Sequence, residues 1–325
     1  MFTIPRSKLP EEFKDSKMKC KPSGLPEIIS FIEGKNGCEV FHDGKMAIVI
    51  ISRLQFGSVQ KCAYVLFFEQ RFSNFAAADG LKIKIGDQYL NLPCSEALFQ
   101  MMKAAQSDDW DSFWKIYNAE TPKICKGISR NELKGFVDEH WKAVSYETMV
   151  EILRLKLASE DFFQTLVKLA KVFAEKNVTV VRFAECSTRD EIYSIGIDIL
   201  EAVKILQNAD VNDVFKPDFL LQKGENRLGK ALDVTYQLFM RCGGATCQDA
   251  PALVEKYSVE FGKDFYVSML QVEEDVGFKR LKTDETDEDA VTLGRSVSMA
   301  VERTGSMAAR SGSSGDDLSD KACLV

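Results

Sequence analysis

Histidine is nearly absent from this chain of 325 residues: only His42 and His140 occur. That leaves little material for a histidine-based triad or a histidine-rich metal site. Nine cysteines stand at 20, 38, 62, 94, 125, 186, 242, 247 and 323, but the count is odd and no pair is spaced Cys-x-x-Cys. A zinc site or a disulfide framework is therefore not expected, and reduced, mostly buried thiols are. No apolar run reaches 18 residues, and the long one that starts at Met46 is only strand-length, so neither a transmembrane helix nor a membrane partner is expected. The segment Met1–Lys8 has no apolar signal core, so export is not expected and a cytoplasmic or nuclear location is. Basic charge is not in excess either: 42 Lys and Arg stand against 49 Asp and Glu, a net of −7. That balance speaks against a dedicated duplex-DNA binder. No Gly-x-Gly-x-x-Gly opens a helix after a strand, so a Rossmann site is unsupported. Gly224-Glu-Asn-Arg-Leu-Gly229-Lys230-Ala231 comes close to a P-loop, but Ala231 lacks the hydroxyl that would ligate magnesium.

What is present is core-forming material: 45% hydrophobic residues, including 22 phenylalanines. The charge is unevenly spread. From Thr283 to Val325 nine acidic residues face four basic ones, so this segment carries −5 and the first 282 residues only −2. The segment has no aromatic residue and is rich in Ser, Gly, Asp and Glu, so it is expected to be a disordered acidic tail. It contains Arg295-x-x-Ser298, Arg303-x-x-Ser306 and Arg310-x-x-Ser313, a spacing that kinases recognise.

In the remainder, Asp43-Gly44 between two β-prone runs predicts a hairpin. Tyr64–Phe68 and the alternating Leu81–Ile85 read as strands. The character then changes. Ser95 is placed as the cap of a helix over 96–106, and further helices are predicted over 108–117, 146–157, 161–176, 199–208, 227–241 and 252–262. One late β-rich run, Val178–Glu185, interrupts them. Early strands, later helices and one late strand predict an α+β fold: helix-rich, with a small sheet. The expected organisation is an extension with a hairpin over 1–61, a main domain over 62–245, a helical extension over 246–282 and the tail.

Several residues carry chemistry at suggestive spacings. Glu96, Gln100 and Lys103 share one helix face, as do Met149, Leu153 and Lys156. Glu185 ends a β-run, and Asp190 follows in a polar loop, where catalytic carboxylates often stand. Trp141 and Tyr193 could stack on a base or sugar, or sit in the core.

Taken in order, these segments say more than any one of them. Phe72-Ser-Asn-Phe75, Ser95-Glu96 with Lys103, Gly127-x-x-Arg130, Trp141, Met149 and Lys156 are followed by Ala184-Glu185-Cys-Ser-x-x-Asp190-x-x-Tyr193-x-Ile-Gly196 and Gly224-x-Asn226-x-Leu228-Gly229. This series resembles the NADAR (YbiA-like) family over about residues 62–242. The resemblance turns the near P-loop into the family's Gly-x-Asn-x-Leu-Gly segment. Ala97 stands where the family has His, Leu157 where it has Phe, and Tyr193-Ser194 where it has Trp-Gly.

The resemblance implies a YbiA-like fold and cleavage of N-glycosidic bonds in ribose-phosphate compounds, including ADP-ribose carried on guanine bases, with no cofactor or metal. It implies Glu96, Asp190 and Glu185 as catalytic carboxylates. It implies Lys103, Lys156 and Arg130 as groups that bind phosphate or neutralise those carboxylates, Asn74 and Asn226 as ribose contacts, and Trp141 and Tyr193 as base-stacking walls. Expected partners are a small ribose-phosphate or ADP-ribose compound and ADP-ribosylated nucleic acid. The alternatives are a nucleotide binder without turnover, motivated by Ala97, Tyr193 and Ser194, and an interaction scaffold with a phosphorylated tail.

Overall fold

The computed structural model describes residues 2–21, 31–33, 39–42, 45–69, 71–86, 88–221, 223–241 and 270–272. The helix expected over 252–262, the acidic tail from Thr283 and the turn residues 43–44 lie outside the described residues.

A five-stranded sheet is built from β2 (Phe31–Glu33), β3 (Glu39–His42), β4 (Met46–Gln55), β5 (Ser58–Phe67) and β8 (Val180–Glu185), in the order β2-β3-β4-β5-β8. The β3–β4 pairing is antiparallel and brings His42 opposite Ala47, the hairpin expected around Asp43-Gly44. The sheet runs across the expected boundary at residues 61 and 62, because β4 pairs with β5 along its whole length. Two small sheets complete the strands: β6 (Lys82–Ile85) pairs antiparallel with β7 (Gln88–Asn91), and β1 (Phe2–Ile4) pairs parallel with β9 (Leu270–Val272).

Both faces of the large sheet are covered, which is why Met46–Ile51 and Cys62–Phe67 read as unbroken apolar runs instead of alternating ones. One face presents Ile48, Ile50, Ala63, Val65 and Phe67. It packs on α1 (Ser95–Gln106), α4 (Asp138–Lys156), α5 (Glu160–Glu175) and α8 (Arg227–Arg241), through residues such as Leu98, Met101, Leu153, Phe163 and Leu232. The other face presents Val49, Ile51, Cys62, Tyr64 and Leu66 to α6 (Ile199–Asn208) and α7 (Val211–Val214). Each fully buried large apolar side chain contributes about 1.5–3 kcal/mol. The buried Tyr64 hydroxyl is satisfied by donating to the Val214 carbonyl at 2.7 Å, which ties the second face to its helices. The architecture is α+β and helix-rich around a small sheet.

Several helices differ from the sequence expectation, among them the short α7, which was not foreseen. α3 (Pro122–Asn131) was not foreseen, although Thr121 caps it, accepting from the Ile124 N–H, and Pro122 occupies its first turn. Its apolar residues are few and interleaved with charged ones, and only Pro122, Cys125 and Ser129 are buried, so no apolar run marks it. α4 starts eight residues before the predicted 146. Of its first seven residues only Trp141 is buried, so the apolar stripe fades there. At α1 the cap is Cys94, not Ser95. Ser95 lies inside the first turn, and its buried hydroxyl has no partner.

The site is set by one topological fact. Within the large sheet β5 and β8 pair in parallel, with Phe67 opposite Glu185, so both strands leave the sheet at the same end. Residues 68–69 and 71–75 therefore emerge beside residues 186–190 at the carboxyl ends of parallel strands, the place where open sheets with helices on their faces leave a crevice.

Candidate active site

The segment after β5 is held from below. Phe72 is fully buried in a ring cluster with Phe67, Phe162 and Phe183, at centroid distances of 5.5, 6.1 and 5.2 Å. Arg71 donates to the Asp161 carbonyl at 2.8 Å and pairs with its carboxylate at 3.1 Å. Lys156 is completely buried, and its ammonium donates to the carbonyls of Arg71 at 2.9 Å and Ser73 at 3.1 Å. Burial lowers its pKa to about 8. Lys156 thus does not snorkel to water, and among the described residues it meets no carboxylate. It organises a main-chain turn. Lys156→Ala should leave the Arg71 carbonyl without its donor, leave the Ser73 carbonyl with the Ala76 N–H alone, and open a cavity, a loss of about 2–5 kcal/mol readable by urea denaturation.

That turn presents Asn74, whose carbonyl accepts from the Glu96 N–H at 2.9 Å. The Asn74 amide donates only a long contact to Met149 Sδ at 3.5 Å, and its buried Oδ1 is unpartnered. Asn74 borders a cavity of about 600 Å³, with Glu96 and Gln100 from α1, Glu185 from the end of β8, and Asp190 and Tyr193 from the loop after it. Gln100 Nε2 donates to Glu96 Oε1 at 2.8 Å. Asp190 Oδ1 accepts from the Ile192 and Tyr193 N–H groups at 3.2 and 3.0 Å, while Oδ2 pairs with Lys126 Nζ at 3.2 Å.

The carboxyl groups feel one another. Burial raises the Glu96 pKa, against the opposing pull of Lys126. Glu185 is pushed to about 8, first by burial and then by the charges of Asp190 and Glu96. Burial and these neighbouring charges together favour the protonated form of Glu185 at neutral pH.

Opposite this acidic floor stands the unforeseen α3. Lys123, Lys126 and Arg130, spaced i, i+3, i+7, present basic groups to the cavity from one helix face, and Arg189 adds another from the loop after β8. Arg130 and Arg189 form no ion pair among the described residues. Sequence reasoning placed Arg130 here but missed Lys126, the direct partner of Asp190. The signal for it was the same i, i+3, i+7 spacing. Phe75, Phe99 and Tyr193 form an aromatic wall, with Tyr193 edge-on to Phe99 at 5.4 Å.

Of the ten residues expected in the site, Asn74, Glu96, Arg130, Glu185, Asp190 and Tyr193 line the cavity. The other four stand behind it. Trp141 backs Phe99 at 4.9 Å. Lys103 lies over the Phe136 ring at 4.1 Å, with its pKa lowered by burial. Lys156 holds the Asn74 turn. Asn226, in a left-handed conformation with φ +51°, clamps β8: its Nδ2 donates to the Phe183 carbonyl at 2.9 Å and its Oδ1 accepts from the Glu185 N–H at 3.2 Å. The residues that depart from the family's motif also have clear places. Ala97 is buried in the core. Buried Ser194 donates to the Ser187 carbonyl at 2.7 Å and to the Asp190 carbonyl, and accepts from the Gly196 N–H at 3.1 Å, so its hydroxyl knots the Asp190 loop together.

Among the described residues no group of three or more His, Cys, Asp or Glu side chains is arranged to hold a metal ion, and no helix is long and apolar enough to cross a membrane.

No curated protein sequence matches the chain significantly. Among solved structures, the NMR structure of the E. coli protein YbiA is similar, with 18% identity, a TM-score of 0.37, and coverage of 57% of this chain and 89% of that one. The NADAR domain matches residues 64–238, more than half of the chain and all of the cavity-forming residues named above, and the chain belongs to the NADAR family.

Proposed function

We propose that this protein hydrolyses the C–N bond between the anomeric carbon of a ribose phosphate, or of an ADP-ribose, and a base or amine, including guanine modified within a nucleic acid. The observation that carries this reading is the facing arrangement of three interacting carboxyl groups, a basic helix and an aromatic wall around one cavity. Family membership supports the N-glycosidase class.

The chemistry asks for few groups. As the C–N bond breaks, the ribose C1 gains oxocarbenium character, which nearby carboxylates stabilise. Asp190, steadied by two backbone N–H groups and Lys126, takes the proton of the attacking water, whose oxygen bonds to C1. Glu185, which holds a proton at neutral pH, gives it to the leaving nitrogen. Glu96, fixed by Gln100, supplies the charge under the ring. Arg130, Lys123 and Arg189 bind phosphate, for which guanidinium forks are suited. Asn74, with its unpartnered Oδ1, accepts from a ribose hydroxyl.

The test is incubation of the full chain with ADP-ribosylated guanosine and ADP-ribosylated DNA, with products read by mass, beside Glu96→Gln and Asp190→Asn. Release of ADP-ribose by the wild type and a loss of about 100-fold or more in each variant are expected. Full turnover in both variants would sink the assigned roles. Binding without release by the wild type would make the protein a nucleotide binder.

A further inference from the structure

Five cysteines lie among the described residues, and all five are free thiols. Three of them gather around one buried methionine. Cys94 Sγ lies 3.9 Å and Cys125 Sγ 4.0 Å from Met18 Sδ, while Cys20, two residues after Met18, hydrogen-bonds to Cys94. The backbone holds this pair in place. The segment that carries Cys20 is strapped to the end of α2 (Trp110–Tyr117) and the turn after it. The Tyr117 hydroxyl donates to the Lys14 carbonyl at 2.8 Å, the Ser16 hydroxyl to the Tyr117 carbonyl at 2.9 Å, and the Lys19 N–H to the Glu120 carbonyl at 2.8 Å. Lys21 then pairs with Ala76 in a parallel bridge, and its carbonyl accepts from the Ala77 N–H at 3.1 Å. Ala77 pairs in turn with Cys94 in an antiparallel bridge. Cys20 and Cys94 therefore stand on the two segments that flank residues 76–77.

The two thiols are unequal. Cys94, at the cap of α1, is fully buried, whereas Cys20 is half-buried and open to solvent. Their shared hydrogen bond lowers the Cys20 pKa, with a further contribution from the charge of Lys156, and raises that of Cys94, which burial pushes higher still. Cys20 is thus the thiolate side of the pair and Cys94 the hydrogen donor. The other described thiols are inert by comparison: burial raises Cys62 and Cys125 to about 12, and raises Cys186 as well.

We propose that Cys20 and Cys94 are an oxidisable pair that closes into a disulfide on reaction with a peroxide, Cys20 attacking and Cys94 resolving. The Cys20 thiolate attacks one peroxide oxygen, the O–O bond breaks, and hydroxide leaves, so Cys20 becomes a sulfenic acid. The Cys94 sulfur then attacks the Cys20 sulfur; the S–O bond breaks, and the Cys94 proton departs with that oxygen as water. The peroxide takes up the two electrons that the sulfurs lose. The bond ties the segment before Lys21 to the residue that precedes Ser95 and Glu96, and it is independent of the chemistry in the carboxylate cavity.

Peptide mapping by mass spectrometry on the full chain, treated with hydrogen peroxide and then alkylated, reads the bond directly. A Cys20–Cys94 crosslinked peptide should appear and should be lost on addition of dithiothreitol. Cys94→Ala keeps a small apolar group in the core, and in it Cys20 should stop as a sulfenic acid that dimedone captures. Cys20→Ser, at a half-exposed position, should fold and leave Cys94 unoxidised, and it carries the test by itself if Cys94→Ala does not fold. Because a disulfide that closes a long loop restricts the unfolded chain, oxidised wild type should melt about 5 °C or more above the reduced protein, a rise absent from Cys20→Ser. A Cys20 that resists peroxide, a Cys20 that joins a different cysteine, a Cys94 that stays alkylatable while Cys20 is oxidised, or equal melting of the oxidised and reduced wild type would overturn the proposal.

Discussion

Glu185→Gln is expected to lower kcat by about 10²–10⁴-fold, with KM changed by less than about threefold. Glutamine keeps the size of the side chain and can still hydrogen-bond, but it has no proton to give to a leaving nitrogen. The proton is there because burial and the neighbouring Asp190 and Glu96 raise the carboxyl to about 8. Activity of the wild type should therefore fall as pH rises through about 8, and that alkaline limb should vanish from the residual activity of the variant. Turnover in Glu185→Gln within a few-fold of wild type would remove Glu185 from the chemistry.

The same shift has a stability consequence of definite sign. An ordinary Glu carboxyl releases its proton near 4.5, and the folded site holds it to about 8. Between those values the folded chain binds more protons than the unfolded chain, so this group's contribution to stability declines as pH rises through the window and is flat above it. Glu185→Gln should then melt close to wild type at pH 5 and above it at pH 9. The gain would be about 1–3 kcal/mol after allowance for solvent screening at a half-buried carboxyl. A variant that loses activity while gaining alkaline stability is the mark of a strained functional group, as opposed to a structural one.

Gly229→Ala is the substitution expected to damage the fold most. A Cβ at Gly229 would stand 2.2 Å from the Phe183 carbonyl oxygen and 2.4 Å from Asn226 Oδ1. One obstacle is β8 backbone and the other is the side chain that clamps it, so neither can swing away. The expected cost is about 4 kcal/mol or more, a fall in Tm of about 10 °C. Gly127→Ala is the matched control. Its Cβ meets nothing within 4 Å, and α3 should gain up to about 1 kcal/mol from a better helix former. Equal melting temperatures for wild type and Gly229→Ala would show that α8 does not press on β8 as described.

These two glycines bear on what could be read from the chain. Gly224-x-Asn226-x-Leu228-Gly229 was recognisable as a motif, and Asn226 was expected to touch ribose. In the fold it touches the strand that ends in Glu185. A motif carries a spacing, and the spacing was the same for either task. Lys103, Trp141 and Lys156 met the same ambiguity: each stands one layer behind the cavity, at a helical position whose distance from the ligand depends on which neighbour the helix packs against.

Local order was legible where a residue's own chemistry or a strong period governed it. The runs at Met46 and Tyr64 read as strands, α6 and α8 had clear boundaries in their apolar period, and the sparing use of histidine left little material for a histidine-based site. Glu96, Glu185 and Asp190 could be named as acids from the family resemblance, with Glu185 and Asp190 also standing at a strand end and in a polar loop. Their convergence could not, because it depends on β5 and β8 pairing in parallel across more than a hundred residues of intervening chain, a pairing no local pattern records. The basic wall was hidden for a related reason. α3 buries little apolar surface of its own, so its position and the approach of Lys126 to Asp190 are decided by the helices it rests on. Composition and periodicity thus determined the class of elements and the family resemblance pointed to the candidate acids, while long-range packing alone decided which charges face one another, and with them the proton on Glu185.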